Sequence, residues 1–210
     1  MKVSEDYITG LAIGAACLTS LAVYPESPTP SPQYSLPSAL VRALVAFALP
    51  TAATVTYLIL RRLWSVAPVE GGHDAESEAA HRAIALRVVL FVVALHVLVV
   101  LNLGGVQWLR ASGPRLVLVL FGGTFIAIGN LLPRTRPNLA VGFRTARMLS
   151  DRHLWIRFHR QCGYVAVGLG TVVAVSGVFL SDPALGLVLS GAAVGSVTVL
   201  TVMYLRQWHA

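Results

Sequence analysis

Six apolar runs, at roughly residues 5 to 24, 39 to 61, 84 to 102, 115 to 132, 160 to 181 and 185 to 205, leave this chain few ways to fold. A helix rises about 1.5 Å per residue, so about 20 residues cross the roughly 30 Å of bilayer hydrocarbon with every backbone polar group satisfied inside the segment. Hydrophobic residues fill 56% of the 210 positions and charged residues only 12%, too little polar surface to cover a water-soluble globule. The expected fold is all-α: a polytopic membrane protein, a bundle of six transmembrane helices with a short cytoplasmic interfacial helix. The first run reads as a membrane helix and not as a cleaved leader, because Lys2 is opposed by Glu5 and Asp6. Asp182 and Pro183 alone part the fifth and sixth runs, which predicts a tight hairpin.

The connections differ in kind. Residues 25 to 38 are so rich in proline and serine that an extended, solvated loop is expected. Residues 65 to 83 read as a flexible cytoplasmic linker, with a glycine pair and an acidic cluster of Glu70, Asp74, Glu76 and Glu78. Lysines and arginines in short loops resist translocation and so report orientation. With the N-terminus inside, the inner side holds Lys2, Arg61, Arg62, Arg82, Arg87, Arg206 and all the arginines of residues 129 to 163, against Arg42, Arg110 and Arg115 outside. Both termini are therefore expected in the cytoplasm. The net charge of +7 is then a matter of topology and anionic head groups, and no direct nucleic-acid partner is expected.

Ionisable groups inside the runs are few. His96 lies in the third, Asn102 and Asn130 sit near helix ends, and no run carries a central carboxylate, which argues against a proton pump or cation-coupled transporter. Small residues recur at Gly10 and Gly14, at Gly191 and Gly195, and along Gly163, Gly168, Gly170 and Gly177, spacings that predict close helix packing within one bundle. Cys17 and Cys162 show neither metal nor disulfide spacing and are expected to pack as small hydrophobes.

Residues 129 to 163 stand apart. They hold Arg134, Arg136, Arg144, Arg147, Arg152, Arg157 and Arg160 against one carboxylate, Asp151. Pro133 and Pro137 should stop the fourth helix by about residue 132, and Asn138 and Gly142 tolerate tight backbone conformations, so 133 to 145 reads as a structured loop. Ser150 or Asp151 is a plausible cap for a short interfacial helix in which Leu154, Trp155 and Phe158 face one side and Arg152, Arg157 and Arg160 the other. Asp151, Trp155 and His159 are four apart and share a helical face. Two readings of that stripe stand side by side: it orients the loop arginines, or Asp151 caps and neutralises Arg147 while Trp155 anchors at the interface and His159 faces head groups.

The pattern of Gly129 and Asn130, Pro133 followed by basic Arg134, Asn138, Gly142, Arg144 with Thr145, then Trp155, His159, Arg160 and Gly163 resembles the signature of the SdpI family. It departs from that signature at Ala146 and Arg147, where proline and tryptophan are usual, and at Phe158, where threonine is. The apolar runs make residues 1 to 64 a two-helix membrane segment, and the resemblance implies 84 to 210 as an SdpI-like four-helix membrane domain with its signature loop at 129 to 163. It implies a bacterial inner-membrane immunity and signal-transduction protein that resists a membrane-active toxin peptide and holds a cytoplasmic repressor. The residues carried over as a ligand- or partner-binding motif are Asn130, Pro133, Arg134, Asn138, Gly142, Arg144, Thr145, Asp151, Trp155, His159 and Arg160.

On this reading the protein is not an enzyme, takes no cofactor or metal, and meets the lipid bilayer and its anionic head groups besides the implied peptide and repressor. The alternative is a small-molecule or lipid transporter, or a lipid-modifying enzyme, with His96, Asn130 and the arginines around a phosphate. A haem-bearing cytochrome would need paired histidines at equal depth. His96 lies about 18 Å into its helix by helix rise, whereas His159 sits at a helix mouth.

Overall fold

Helices form over all six apolar runs, and most run further than hydropathy predicts. The computed structural model describes residues 4–23, 38–66, 75–180 and 182–208. In order these are α1 (Glu5–Val23), α2 (Ser38–Val66), α3 (Ala75–Leu103), α4 (Gln107–Gly129), a single 3-10 turn (Leu132–Arg134), the short α5 (Ala146–Ser150), α6 (Arg152–Phe179) and α7 (Asp182–Trp208). The expected proline- and serine-rich loop at 25 to 38 falls almost wholly outside the described residues. Among the described residues, Ala75–Leu103, Ser112–Arg134 and Arg152–Phe179 are long and apolar enough to cross a membrane, and Val194–Arg206 is a shorter apolar stretch. Leu11, Leu18 and Leu21 of α1 and Tyr164, Val178 and Phe179 of α6 are more than half exposed, a surface suited to lipid and not to water.

Two features differ from expectation. The segment read as a flexible linker is helical from Ala75 onward, with Glu76 and Glu78 in the first turn of α3, where carboxylates suit the helix dipole. Ser77, Ala80, His81 and Ile84, on one face of that helix, are buried, so its buried face begins two turns earlier than the lipid-soluble run and is partly polar there. The interfacial helix expected before the fifth span is not separate either. Residues 152 to 179 form one continuous helix, preceded by the five-residue α5. The tight hairpin holds: α6 ends at Phe179, α7 starts at Asp182, and Pro183 occupies a first-turn position where its missing N–H is harmless.

The helices pack in two groups. α3 contacts α1, α2 and α4, while α6 lies between α4 and α7. Within the first group, His96 of α3 is fully buried with Nε2 2.8 Å from the Ser20 hydroxyl of α1, which donates to the Ala46 carbonyl of α2. With the hydroxyl hydrogen used there, Nε2 carries the imidazole proton, and three helices are joined at one polar point.

The second group is fastened by glycine. A Cβ on Gly170 would lie 2.5 Å from the Gly122 carbonyl oxygen, one on Gly163 2.6 Å from that of Gly129, and one on Gly177 2.9 Å from that of Arg115. At a spacing of seven residues along α6, three glycines thus bring α6 against the backbone of α4. Gly168, Gly10, Gly14, Gly191 and Gly195 face open space, so close packing holds only for the α6 series. Replacing Gly170 with Ala should therefore push α4 from α6 and destabilise by about 1–3 kcal/mol, while Gly168→Ala should be neutral or slightly stabilising. Thermal unfolding of the two variants in detergent checks this contrast.

Candidate functional site

The chain leaves α4 at Gly129, makes the 3-10 turn through Pro133, and returns at Asp151. Between these points its backbone groups lack regular helical partners, and side chains take over. Asn138 is fully buried. Its Oδ1 accepts from the backbone N–H groups of Ala140 and Val141, each at 2.8 Å, and its Nδ2 donates to the Arg136 carbonyl at 2.7 Å. His81 Nε2 reaches the same Oδ1 at 3.2 Å, and the Arg136 N–H donates to the Ser77 hydroxyl at 3.0 Å. Both partners come from the start of α3. Trp64 of α2 stacks on His81 with ring centroids 3.8 Å apart.

The other side of the loop is held by α6. Trp155 is fully buried, and its indole N–H is shared between the carbonyl and hydroxyl oxygens of Thr135 at 3.2 and 3.3 Å. His159, also buried, stacks on Trp155 with centroids 3.9 Å apart. Its Nδ1 lies 3.0 Å from the Trp155 carbonyl, and its Nε2 accepts the Phe143 N–H at 3.1 Å. These partners fix a neutral imidazole protonated on Nδ1, since a proton on Nε2 would abolish the bond to Phe143. Gly142, at φ 105°, sits against this ring, and a Cβ there would collide with Nε2. Glycine is required twice over, for the left-handed backbone and for the close approach.

Caps finish the return. The Thr145 hydroxyl accepts from the Met148 N–H at 3.3 Å at the start of α5, and the Asp151 carboxylate accepts from the Leu154 N–H at 2.9 Å at the start of α6. That backbone donor holds the Asp151 carboxyl below its ordinary range. Beneath the loop, Met148, Leu154, Trp155, Phe158 and Cys162 form a buried cluster, with Phe143 edge-on to Phe158 at 5.0 Å. Cys162 packs as the small hydrophobe expected.

The carried-over motif residues divide by role. Pro133 lies beside Gly163 at the α4–α6 crossing, and Asn138, Gly142, Thr145, Asp151, Trp155 and His159 together shape the loop. Arg134, Arg144 and Arg160 are exposed, as are Arg147, Arg152 and Arg157, and Arg136 is half-buried. Arg144 donates to the Leu139 carbonyl. Asn130 is exposed at the C-cap of α4, away from the loop's bonds. Neither reading of the Asp151 stripe survives whole. Asp151 does cap, but Trp155 is no interface anchor and His159 meets no head group, because both are buried against the loop backbone. The Asp151 carboxylate takes the Leu154 N–H and feels the charge of Arg147, while the polar atoms of Trp155 and His159 are held by Thr135, Phe143 and the Trp155 carbonyl. Sequence reasoning missed Ser77, His81 and Thr135. The first two could have been found from the i, i+4, i+7 pattern of Ser77, His81 and Ile84.

Two cavities flank the loop. One, of about 550 Å³, lies among α4, α6 and α7 and is closed at one end by Gly142, Phe143 and Arg144. The other, of about 190 Å³, gathers Asp6 of α1, Tyr57 and Arg61 of α2, His81 and Arg82 of α3, and Val141. Within it Tyr57 donates to Asp6, and Arg82 pairs with Glu78. The start of α1, the end of α2, the start of α3 and the loop therefore share one end of the bundle.

Residues 134–205 match the SdpI/YfhL protein family model. The SdpI resemblance holds over this stretch. It takes in the loop from Arg134 onward with α5, α6 and most of α7, and so includes Asn138, Gly142, Trp155 and His159. No curated protein and no solved structure matches the chain. The SdpI-like part is thus the arginine-bearing loop from Arg134, α5, the α6 helix that clasps it and most of α7.

Gly142→Ala should destabilise by about 1–3 kcal/mol through strain and collision with His159. His159→Leu, which strands the Phe143 N–H, should cost about 1–2 kcal/mol. Both are read by thermal unfolding, with proteolysis inside 138–145 reporting the freed loop. Asp151→Ala should lower stability, whereas Asp151→Asn, which keeps a capping oxygen, should lower it less. Because the Asp151 carboxyl is depressed in the fold, its contribution is full at neutral pH and fades as pH falls through the acid range below the ordinary 3.8, where the aspartate and alanine proteins should converge.

Proposed function

We propose that the protein is an SdpI-type immunity and signal-transduction protein of the bacterial inner membrane. On this reading it protects against a membrane-active toxin peptide and holds a cytoplasmic repressor, with the loop at 133 to 160 as its effector surface. One observation carries the reading: a loop whose buried polar groups are all engaged in fixing its own backbone presents six exposed arginines on a rigid frame. Such a surface suits recognition by charge. The same engagement supports a non-enzymatic role, because both ring nitrogens of His159 are occupied by backbone groups and neither is available as a general base.

The predicted orientation fits the shared end of the bundle. The start of α1, the end of α2, the start of α3 and the arginine loop lie together, as they should if all face the cytoplasm and the six helices all cross. Expression in a toxin-sensitive bacterium, followed by challenge with the peptide, tests the function. Survival should rise at confirmed membrane levels of the protein, and replacing Arg144, Arg147, Arg157 and Arg160 with Gln should remove the gain without lowering those levels. No gain in survival by the unaltered protein would sink the immunity reading.

A further inference from the structure

Among the described residues α4 and α7 both pack on α6 and not on each other, so a cleft opens between them with α6 as its floor. The glycine contacts zip α4 to α6, which leaves the α7 side as the open one. The resulting cavity of about 550 Å³ falls within the roughly 300–1,000 Å³ range of sites that hold small organic ligands. Its walls are apolar along the helices, with Phe125 and Ile128 from α4, Val165 and Leu169 from α6, and Leu200 from α7. Its one basic residue, Arg144, stands at the end that the loop closes.

We propose that this cleft binds an anionic phospholipid, one acyl chain lying between α4 and α7 and the phosphate meeting Arg144. Three observations commit the site to that occupant. Two of the walls, α4 and α6, carry segments with the length and apolarity to cross a membrane, and α7 adds a shorter apolar stretch, so the fluid in contact with the cleft is hydrocarbon, and an apolar void gains contacts when a chain fills it. Arg144 is exposed, and its guanidinium is steadied by a bond to the Leu139 carbonyl, leaving further donors of its five for a phosphate. The same loop and the start of α6 carry exposed Arg134, Arg147, Arg157 and Arg160 with Asp151 as the carboxylate among residues 129 to 163, so charge favours an anionic head over a zwitterionic one.

Because Phe143 and Arg144 are tied through the Phe143 N–H to His159, the head group would sit on the part of the loop that α6 clasps. The site does not depend on the toxin reading. It requires only the membrane setting and the cleft.

The test uses the full-length protein in detergent, with native mass spectrometry and thermal unfolding across added phosphatidylglycerol and phosphatidylcholine of matched chains. Phosphatidylglycerol, whose phosphate charge no choline cation offsets, should be retained about tenfold more strongly and should raise the melting temperature more. Arg144→Gln should erase that preference and Arg144→Lys should keep most of it. Val165→Trp, which fills the floor of the cleft and leaves Arg144 in place, should lower retention of both lipids. Equal retention of the two lipids by the unaltered protein would overturn the proposal. So would a preference that persists in a folded Arg144→Gln protein. Unchanged retention in Val165→Trp would place the lipid on the outer surface and overturn the cleft as its site.

Discussion

The N–H of Phe143 meets a neutral histidine 16 residues further on, and much of the loop's order follows from that bond. A connection at the edge of a bilayer cannot leave its backbone groups unsatisfied, because hydrocarbon offers them nothing. For Nε2 of His159 to accept, Nδ1 must carry the proton, and the Trp155 carbonyl one turn back takes it. For the ring to come so close, residue 142 must have no side chain. For the ring to stay there, Trp155 must lie flat against it, held in turn by Thr135. Four residue types at four separate positions thus answer one requirement.

The same loop is held from the opposite side by a different part of the chain. Asn138 gathers three loop backbone groups, and His81 and Ser77 of α3 tie it to the N-terminal helices. This explains why the segment before the lipid-soluble part of α3 is helical despite its polar composition. Its buried face is a docking face for the loop, and its acidic first turn suits the N-terminal end of a helix. The loop is therefore wedged between two helix groups. Arg134, Arg144, Arg147, Arg152, Arg157 and Arg160 are exposed on a backbone that these bonds hold in place.

Much of the site was legible because its residues are restrictive ones. Pro133 and Pro137 end a helix whatever surrounds them, and Gly142, Asn138 and Asp151 announce a turn, a side-chain-bonded turn and a cap by local chemistry alone. The roles of Trp155 and His159 were not legible. A tryptophan and a histidine at the mouth of a membrane helix are equally compatible with a head-group contact and with burial. Which one occurs depends on whether the loop folds back over them. The linker failed for a related reason: Ala75 to Ala83 contains too few large apolar residues to register as a helix by hydropathy, and its buried face is polar, through Ser77 and His81.

The sequence by itself determined the all-helical class, the positions of the six apolar helices, the boundaries of the arginine-bearing loop and its likeness to the SdpI family, because length, apolarity, proline and glycine act locally. Only the tertiary structure decided which glycines matter. Gly163, Gly170 and Gly177 face α4 while Gly168 and the pairs in α1 and α7 face open space, a distinction set by which helix lies alongside. It also decided that the histidines are bonded to neighbours from other turns and helices, and that α7, which among the described residues packs on α6, leaves a cleft beside it. Such features depend on the distances between helices, and distance between elements is what a one-dimensional pattern does not carry.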